Sequence, residues 1–148
     1  MNEASKTVLI LAVVMSFVLI LAWLPAFLYQ NIAEWYQSGI TRLFSSVCHQ
    51  QPDRMFDVGG THAAVCSRCT GIYAGWAAGL WGAAIGLKQE IAFPRRYVMM
   101  IIVGITVIIG VDIVAQWIAF WEGSNMQRAV LGLLWGAAII SILLTRNN

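Results

Sequence analysis

The sequence predicts an all-α integral membrane protein, a bundle of four transmembrane helices. Three observations carry that expectation: four long apolar runs, a very low charged fraction, and no period-2 alternation within the runs. Only 11% of the 148 residues are charged and 59% are hydrophobic, whereas a soluble domain carries about 25% charged residues. Mean hydropathy is +0.73. A chain this apolar cannot clothe a soluble globule in polar surface, so lipid must solvate much of it. Only helices or closed barrels satisfy their backbone in lipid, and barrel strands alternate where these runs do not. A single domain over residues 1–148 is expected. The net charge of +2 gives no basis for a nucleic-acid partner. Seven Trp and four Tyr supply the rings that collect at the headgroup level.

The spans are expected at about 7–29, 69–87, 97–120 and 127–144, each able to cross about 30 Å of hydrocarbon. The first begins after MNEASK and resembles a secretion signal. Its apolar core from Thr7 to Trp23 exceeds the roughly 7–15 residues of a signal-peptide core, and no small-x-small site follows closely. An uncleaved signal-anchor is therefore expected. From Gln30 to Phe44 the spacing of Ile32, Trp35, Tyr36, Ile40, Leu43 and Phe44 suits a helix lying along the interface. A polar loop at 45–69 then carries every Cys and His of the chain. The second span holds Gly71, Gly75, Gly79, Gly82 and Gly86, and the fourth Gly132 and Gly136. Small residues one turn apart let helices approach closely in lipid, within one chain or in a homodimer. Ser124 followed by Gln127 fits a capping box opening the fourth span.

Orientation follows from basic residues. Lys6, Lys88, Arg95, Arg96 and Arg146 fall on the side of the termini, and Arg42, Arg54, Arg68 and Arg128 on the other. The last three of those four belong to a polar cluster. Discounting them leaves cytoplasmic termini in the cell membrane and a Cys/His loop facing outward.

Four spans bring the loop, the start of the second span, the end of the third and the start of the fourth to one end. Cys48, His49, Arg54, His62, Cys66, Arg68 and Cys69 then share a side with Gln116, Ser124, Asn125 and Arg128. Asp112 lies nine residues inside Trp121, about 13 Å deep, one turn below Gln116 on the same helix face. A carboxylate there costs about 2.5–3.5 kcal/mol and faces the interior with a partner. Arg128 is the expected partner, because a cation in the first turn of a helix opposes the macrodipole and needs an anion. The bland reading is a buried pair pinning two helices; the functional one is a proton-handling or ligand-holding carboxylate.

Cys48, Cys66 and Cys69 with one imidazole make a tetrahedral zinc set, or one for another thiophilic metal. His49 is cramped as the neighbour of Cys48, so His62 competes as fourth ligand. The alternative is a Cys66–Cys69 disulfide or redox pair with Cys48 left over. Haem attachment is excluded, because Thr70 and not His follows Cys69. Arg54, Arg68 and Arg128 gather beside two helix N-termini, which favours phosphate or carboxylate and so an anionic membrane lipid. The plainer alternative is that they neutralise Asp53, Asp57, Asp112 and Glu122 or touch ordinary headgroups.

The stretch Cys48-His49-Gln50-Gln51-Pro52-Asp53-Arg54, with Cys66-Ser67-Arg68-Cys69-Thr70-Gly71-Ile72-Tyr73, resembles the signature of a family of small predicted membrane proteins of bacteria and archaea whose function is unknown. The resemblance continues at Asp112, Gln116, Ser124-Asn125, Arg128 and Gly132. Where that family commonly has Gly after the intramembrane Asp, this chain has Ile113. The resemblance implies that these residues act as a set and assigns no reaction.

The favoured functional expectation is a metal-dependent membrane enzyme acting on a lipid or other membrane-borne anion. Asp112 serves there as general acid or base, Arg54, Arg68 and Arg128 hold the anion, and Asn125 and Gln116 orient it. The competing expectations are a metal-ion or proton binding or transport protein, a thiol redox protein using Cys66 and Cys69, and an accessory structural protein.

Overall fold

The computed structural model describes residues 3–28, 34–85, 95–118, 120 and 122–144. In chain order these form α1 (Glu3–Leu28), α2 (Glu34–Phe44), a 3-10 turn (Pro52–Arg54), β1 (Met55–Val58), β2 (Thr61–Cys66), α3 (Ser67–Ala84), α4 (Arg95–Trp117) and α5 (Asn125–Leu144). The expected end of the first span at Tyr29 and start of the interfacial helix at Gln30–Ile32 lie outside the described residues. So do Gly86, Leu87, Lys88, Trp121 and Arg146.

Three helices, α1, α4 and α5, are long and apolar enough to cross a membrane. α3 is not among them. Its 18 residues extend about 27 Å, but Arg68 and a run of Gly and Ala lower its hydropathy. The physical reason lies in its position: α3 packs between α1 and α5. Gly71, Gly75, Ala77 and Leu80 are buried there, so its neighbours are protein and it needs less apolar surface. α4 packs mainly on α5 and exposes Val103, Val107, Val111 and Val114, an apolar face suited to hydrocarbon.

The all-α expectation is corrected by a two-stranded antiparallel sheet within the Cys/His loop. β1 and β2 pair with the register Met55↔Cys66, Asp57↔His62 and Val58↔Thr61, with an irregularity between Met55 and Asp57. The turn is Gly59-Gly60, with φ of 64° and 88°. Two consecutive positive φ angles are what a two-residue hairpin turn needs and what glycine supplies without strain. β2 shows no in–out alternation: Ala63, Ala64, Val65 and Cys66 are all buried, because α1, α2 and the start of α3 pack against it.

The chain's buried core therefore sits at this end, where Ala22, Ile40, Phe44, Cys48, Ala64, Val65 and Cys66 cluster. Val65 is fully buried, which contributes about 2 kcal/mol. Ile40 and Phe44 turn into this core, whereas Leu43, counted on the same apolar face in the sequence, stays exposed.

The tightest helix contact is α3 against α5. A Cβ on Gly71 would strike the backbone oxygen of Ala129, and one on Gly75 that of Leu133. From the other side, Gly132 faces the carbonyl of Arg68 and Gly136 that of Ile72. These four glycines serve packing within the chain.

Candidate metal centre and adjacent polar pocket

Three segments deliver the cysteines. Cys48 ends the turn after α2, Cys66 ends β2, and Cys69 lies in the first turn of α3. Gln50 fixes the first of these. It takes a positive φ of 50°, and its Nε2 donates to the carbonyls of Thr41 at 2.7 Å and Ala64 at 2.8 Å. That side chain stitches α2 to β2 and turns Cys48 towards Cys66. The Cys66 backbone N–H then donates to Cys48 Sγ at 3.2 Å.

The sulfurs of Cys48, Cys66 and Cys69 all lie within 4.8 Å of one another. A thiophilic ion bonded at about 2.3 Å to each sulfur in tetrahedral geometry needs sulfurs about 3.8 Å apart. Closing the triad onto an ion thus takes shifts of about 1 Å. All three cysteines are free thiols. Hydrogen bonds from the Cys66 and Cys69 thiols push Cys48 far below the usual thiol range. Cys66 is pushed up, first by its hydrogen bond to Cys48 and also by burial. Within the cluster, hydrogen bonding thus sets Cys48 apart as the most acidic of the three thiols.

The expected imidazoles are placed differently. His49 Nδ1 lies 4.0 Å from Cys48 Sγ, beside the cluster. His62 is on the exposed hairpin, 3.7 Å from Asp57, and neither His62 nor His49 is among the residues whose ligand atoms converge with the cysteines.

Next to the triad stands a polar junction. Asp112 pairs with Arg68, whose Nη2 donates to Oδ2 at 2.5 Å. The expected Asp112–Arg128 pair is therefore replaced by a pair between α4 and α3. It also lies nearer a helix end than expected, since α4 stops at Trp117, five residues on, or about 8 Å along the axis. The burial of Asp112, 7% exposed, is as the sequence required.

Arg128, also 7% exposed, donates to Asn125 Oδ1 at 2.8 Å and to Gln116 Oε1 at 3.0 Å. Among the described residues it has no carboxylate partner. Asn125 is the hub: its Nδ2 donates to the Met55 carbonyl at 2.9 Å, and its Oδ1 also accepts from Ser67 Oγ at 3.3 Å. One amide so ties the start of α5 to the start of α3 and to β1. At the mouth of α5 the Gln127 N–H donates to Ser124 Oγ at 3.1 Å, half of the expected capping box.

Arg128, Asn125, Gln116 and Arg54 line one cavity of about 470 Å³, with Asp53, Glu122 and Gly123. The structure thus brings together Cys48, Cys66 and Cys69 in one place, and Arg54, Gln116, Asn125 and Arg128 in another. Arg68 and Asp112 are paired with each other and His62 stands apart. Sequence reasoning passed over Gln50 and Ser67. Gln50 sits inside the quoted motif but has no spacing that singles it out, and Ser67, fully buried, offers no signal beyond its place between two cysteines and an arginine.

Residues 48–142 match the family described as "Predicted membrane protein (DUF2085)", a range that contains both quoted motifs. The chain is 30% identical over 103 residues to an uncharacterized protein of Methanocaldococcus jannaschii, covering 69% of this chain and 64% of that one. It is 32% identical over 91 residues to an uncharacterized protein of Methanothermobacter thermautotrophicus, covering 61% of this chain and 78% of that one. The chain thus spans less than two thirds of the first relative's length. No solved structure matches it.

Proposed function

The chain belongs to the DUF2085 family of predicted membrane proteins, and from that premise we propose that it is a membrane metalloprotein: Cys48, Cys66 and Cys69 hold a zinc or other thiophilic ion beside a pocket for a membrane-borne anion. The observation that carries this reading is the convergence of three sulfurs, one from the turn after α2 and two from the β2–α3 junction, to within 4.8 Å. Three buried or half-buried thiols on one point serve packing poorly, and three soft donors suit such an ion.

In this reading α3 is the fourth span, sheltered by α1 and α5, and the termini share the cytoplasmic side. Three protein ligands leave a fourth position for water or a substrate atom, as catalytic zinc sites do. Enzymatic action on the bound anion then falls to Arg128, Gln116 and Asn125 as holding groups. Asp112, with Oδ1 buried and unpartnered among the described residues, supplies a proton-handling group oriented by Arg68. A closed, structural metal clip is favoured by one observation, the approach of His49 Nδ1 to Cys48 Sγ.

Metal content by mass spectrometry on detergent-purified protein tests the centre. About one zinc, iron or copper per chain is expected, lost in Cys66→Ser. No metal and one free thiol under denaturing conditions would sink it in favour of a disulfide. Cobalt substitution separates the two forms: bands that shift on adding imidazole mark an open position, and bands altered only by His49→Ala mark a closed site.

A further inference from the structure

The pocket around Arg128 has a charge pattern that the metal reading does not use. Burying a guanidinium without a counter-ion is costly. Arg128 is buried, yet its partners are two neutral amide oxygens. It stands in the first turn of α5, whose macrodipole adds positive potential. Arg128 Nε and Gln116 Nε2 are buried without a hydrogen-bond partner among the described residues and line the same cavity; Arg54 Nε on the same wall makes no hydrogen bond either, but has the Asp53 carboxylate as an ion-pair partner. Every orphan atom on that wall is a donor, so the missing occupant is an acceptor: an oxyanion.

The rim has the opposite sign. Asp53 and Glu122 line the same cavity and both are exposed, with Asp53 Oδ2 3.6 Å from Arg54 Nε. The cavity wall therefore sums to two positive and two negative side chains, positive inside and negative outside. A simple anion meets repulsion at that rim, whereas a zwitterion carrying phosphate at one end and ammonium at the other matches both layers.

We propose that this cavity binds an amine-bearing phosphate headgroup of the phosphoethanolamine type, phosphate inward on Arg128, Arg54 and Gln116, ammonium outward at Asp53 and Glu122. The inference rests on the membrane reading above for its lipid source and is independent of the metal.

Calorimetric titration of the detergent-purified full chain tests it, with dihexanoyl phosphatidylethanolamine, dihexanoyl phosphatidylglycerol and free phosphoethanolamine as probes. Saturable binding of the ethanolamine lipid at one per chain is expected, at least about fivefold tighter than the glycerol lipid. Arg54→Gln and Arg128→Lys each weaken it about tenfold or more. Asp53→Asn with Glu122→Gln erases the preference between the two lipids. Binding of free phosphoethanolamine as tight as that of the lipid assigns the same headgroup chemistry to a soluble source. Absence of saturable binding by all three probes overturns the proposal, as does unchanged affinity in folded Arg54→Gln. Equal affinity for the two lipids in the wild type overturns the zwitterion. Metal content measured on the same samples keeps such a failure apart from failure of the metal centre.

Discussion

α5 is gripped in two different ways on its two sides. Against α3 the contact is backbone on backbone: four glycines let carbonyls lie where side chains would otherwise stand. Against α4 the contact is looser, and polar bonds carry much of it. Trp135 Nε1 donates to Thr106 Oγ1 at 3.0 Å and Arg128 Nη2 to Gln116 Oε1 at 3.0 Å. The Arg68–Asp112 pair adds a tie from α4 to α3. The contrast shows two physical routes to helix association where lipid is as apolar as leucine: close approach of small residues, and a few hydrogen-bonded pairs. The first tolerates no added atom. The second tolerates added atoms but not the loss of a partner.

The largest effect is expected where the close contact is broken. Gly71→Val places a side chain against the Ala129 carbonyl, which has no flexible end to move aside. A loss of about 4 kcal/mol or more follows, read as failure to recover folded protein or as collapse of the unfolding midpoint in detergent. A mild shift would mean that α3 and α5 slide apart freely, and the comparison would fail.

Next comes the polar side. Asp112→Asn removes the charge that Arg68 answers and costs about 3 kcal/mol. Arg68→Met with Asp112→Leu recovers most of that stability, because an apolar pair needs no partner. Denaturant titration of the two variants checks both statements. A single variant as stable as the parent would show that α4 is not held by this pair.

How much of this was legible in the sequence depends on the kind of contact. Composition alone called for lipid. The glycine spacing at 71, 75, 132 and 136 announced the close pair, because a four-residue repeat keeps one helix face whatever its rotation. The convergence of Cys48, Cys66 and Cys69 also followed from chain order, since the cysteines and the start of α3 are near in sequence. The partner of Asp112 did not. Arg68 and Arg128 begin neighbouring helices at the same end, and only the rotation of α4 decides between them. The hairpin was missed although Gly59-Gly60 is a strong turn signal. THAAVC lacks alternation because both faces of β2 are covered, and a strand buried on both faces has no period to read. The weak apolarity of α3 has a related origin: the face carrying Gly71, Gly75, Ala77 and Leu80 is buried against other helices, and that part of the helix does not carry the mark of its solvent.

The smallest effect sharpens the contrast from its quiet side. Nothing lies within 4 Å of a Cβ built on Gly110 in α4. Gly110→Ala is expected to stabilise by about 0.5–1 kcal/mol through helix propensity, measured as a small rise in the unfolding midpoint. Destabilisation there would reveal a neighbour pressed against α4.

The place of α3 also has a consequence for how the chain is made. The helix least able to enter lipid on its own merits is translated after one of its two shelters and well before the other. On the four-span reading α1 is available to receive it, but the glycine face that fits it most closely belongs to α5, which follows α4 in the chain. Biogenesis then has a waiting step, with α3 lodged against α1 and its small-residue face open until α5 arrives. Ser67, between Cys66 and Cys69 at the head of α3, gains its bond to Asn125 Oδ1 only once the start of α5 is in place.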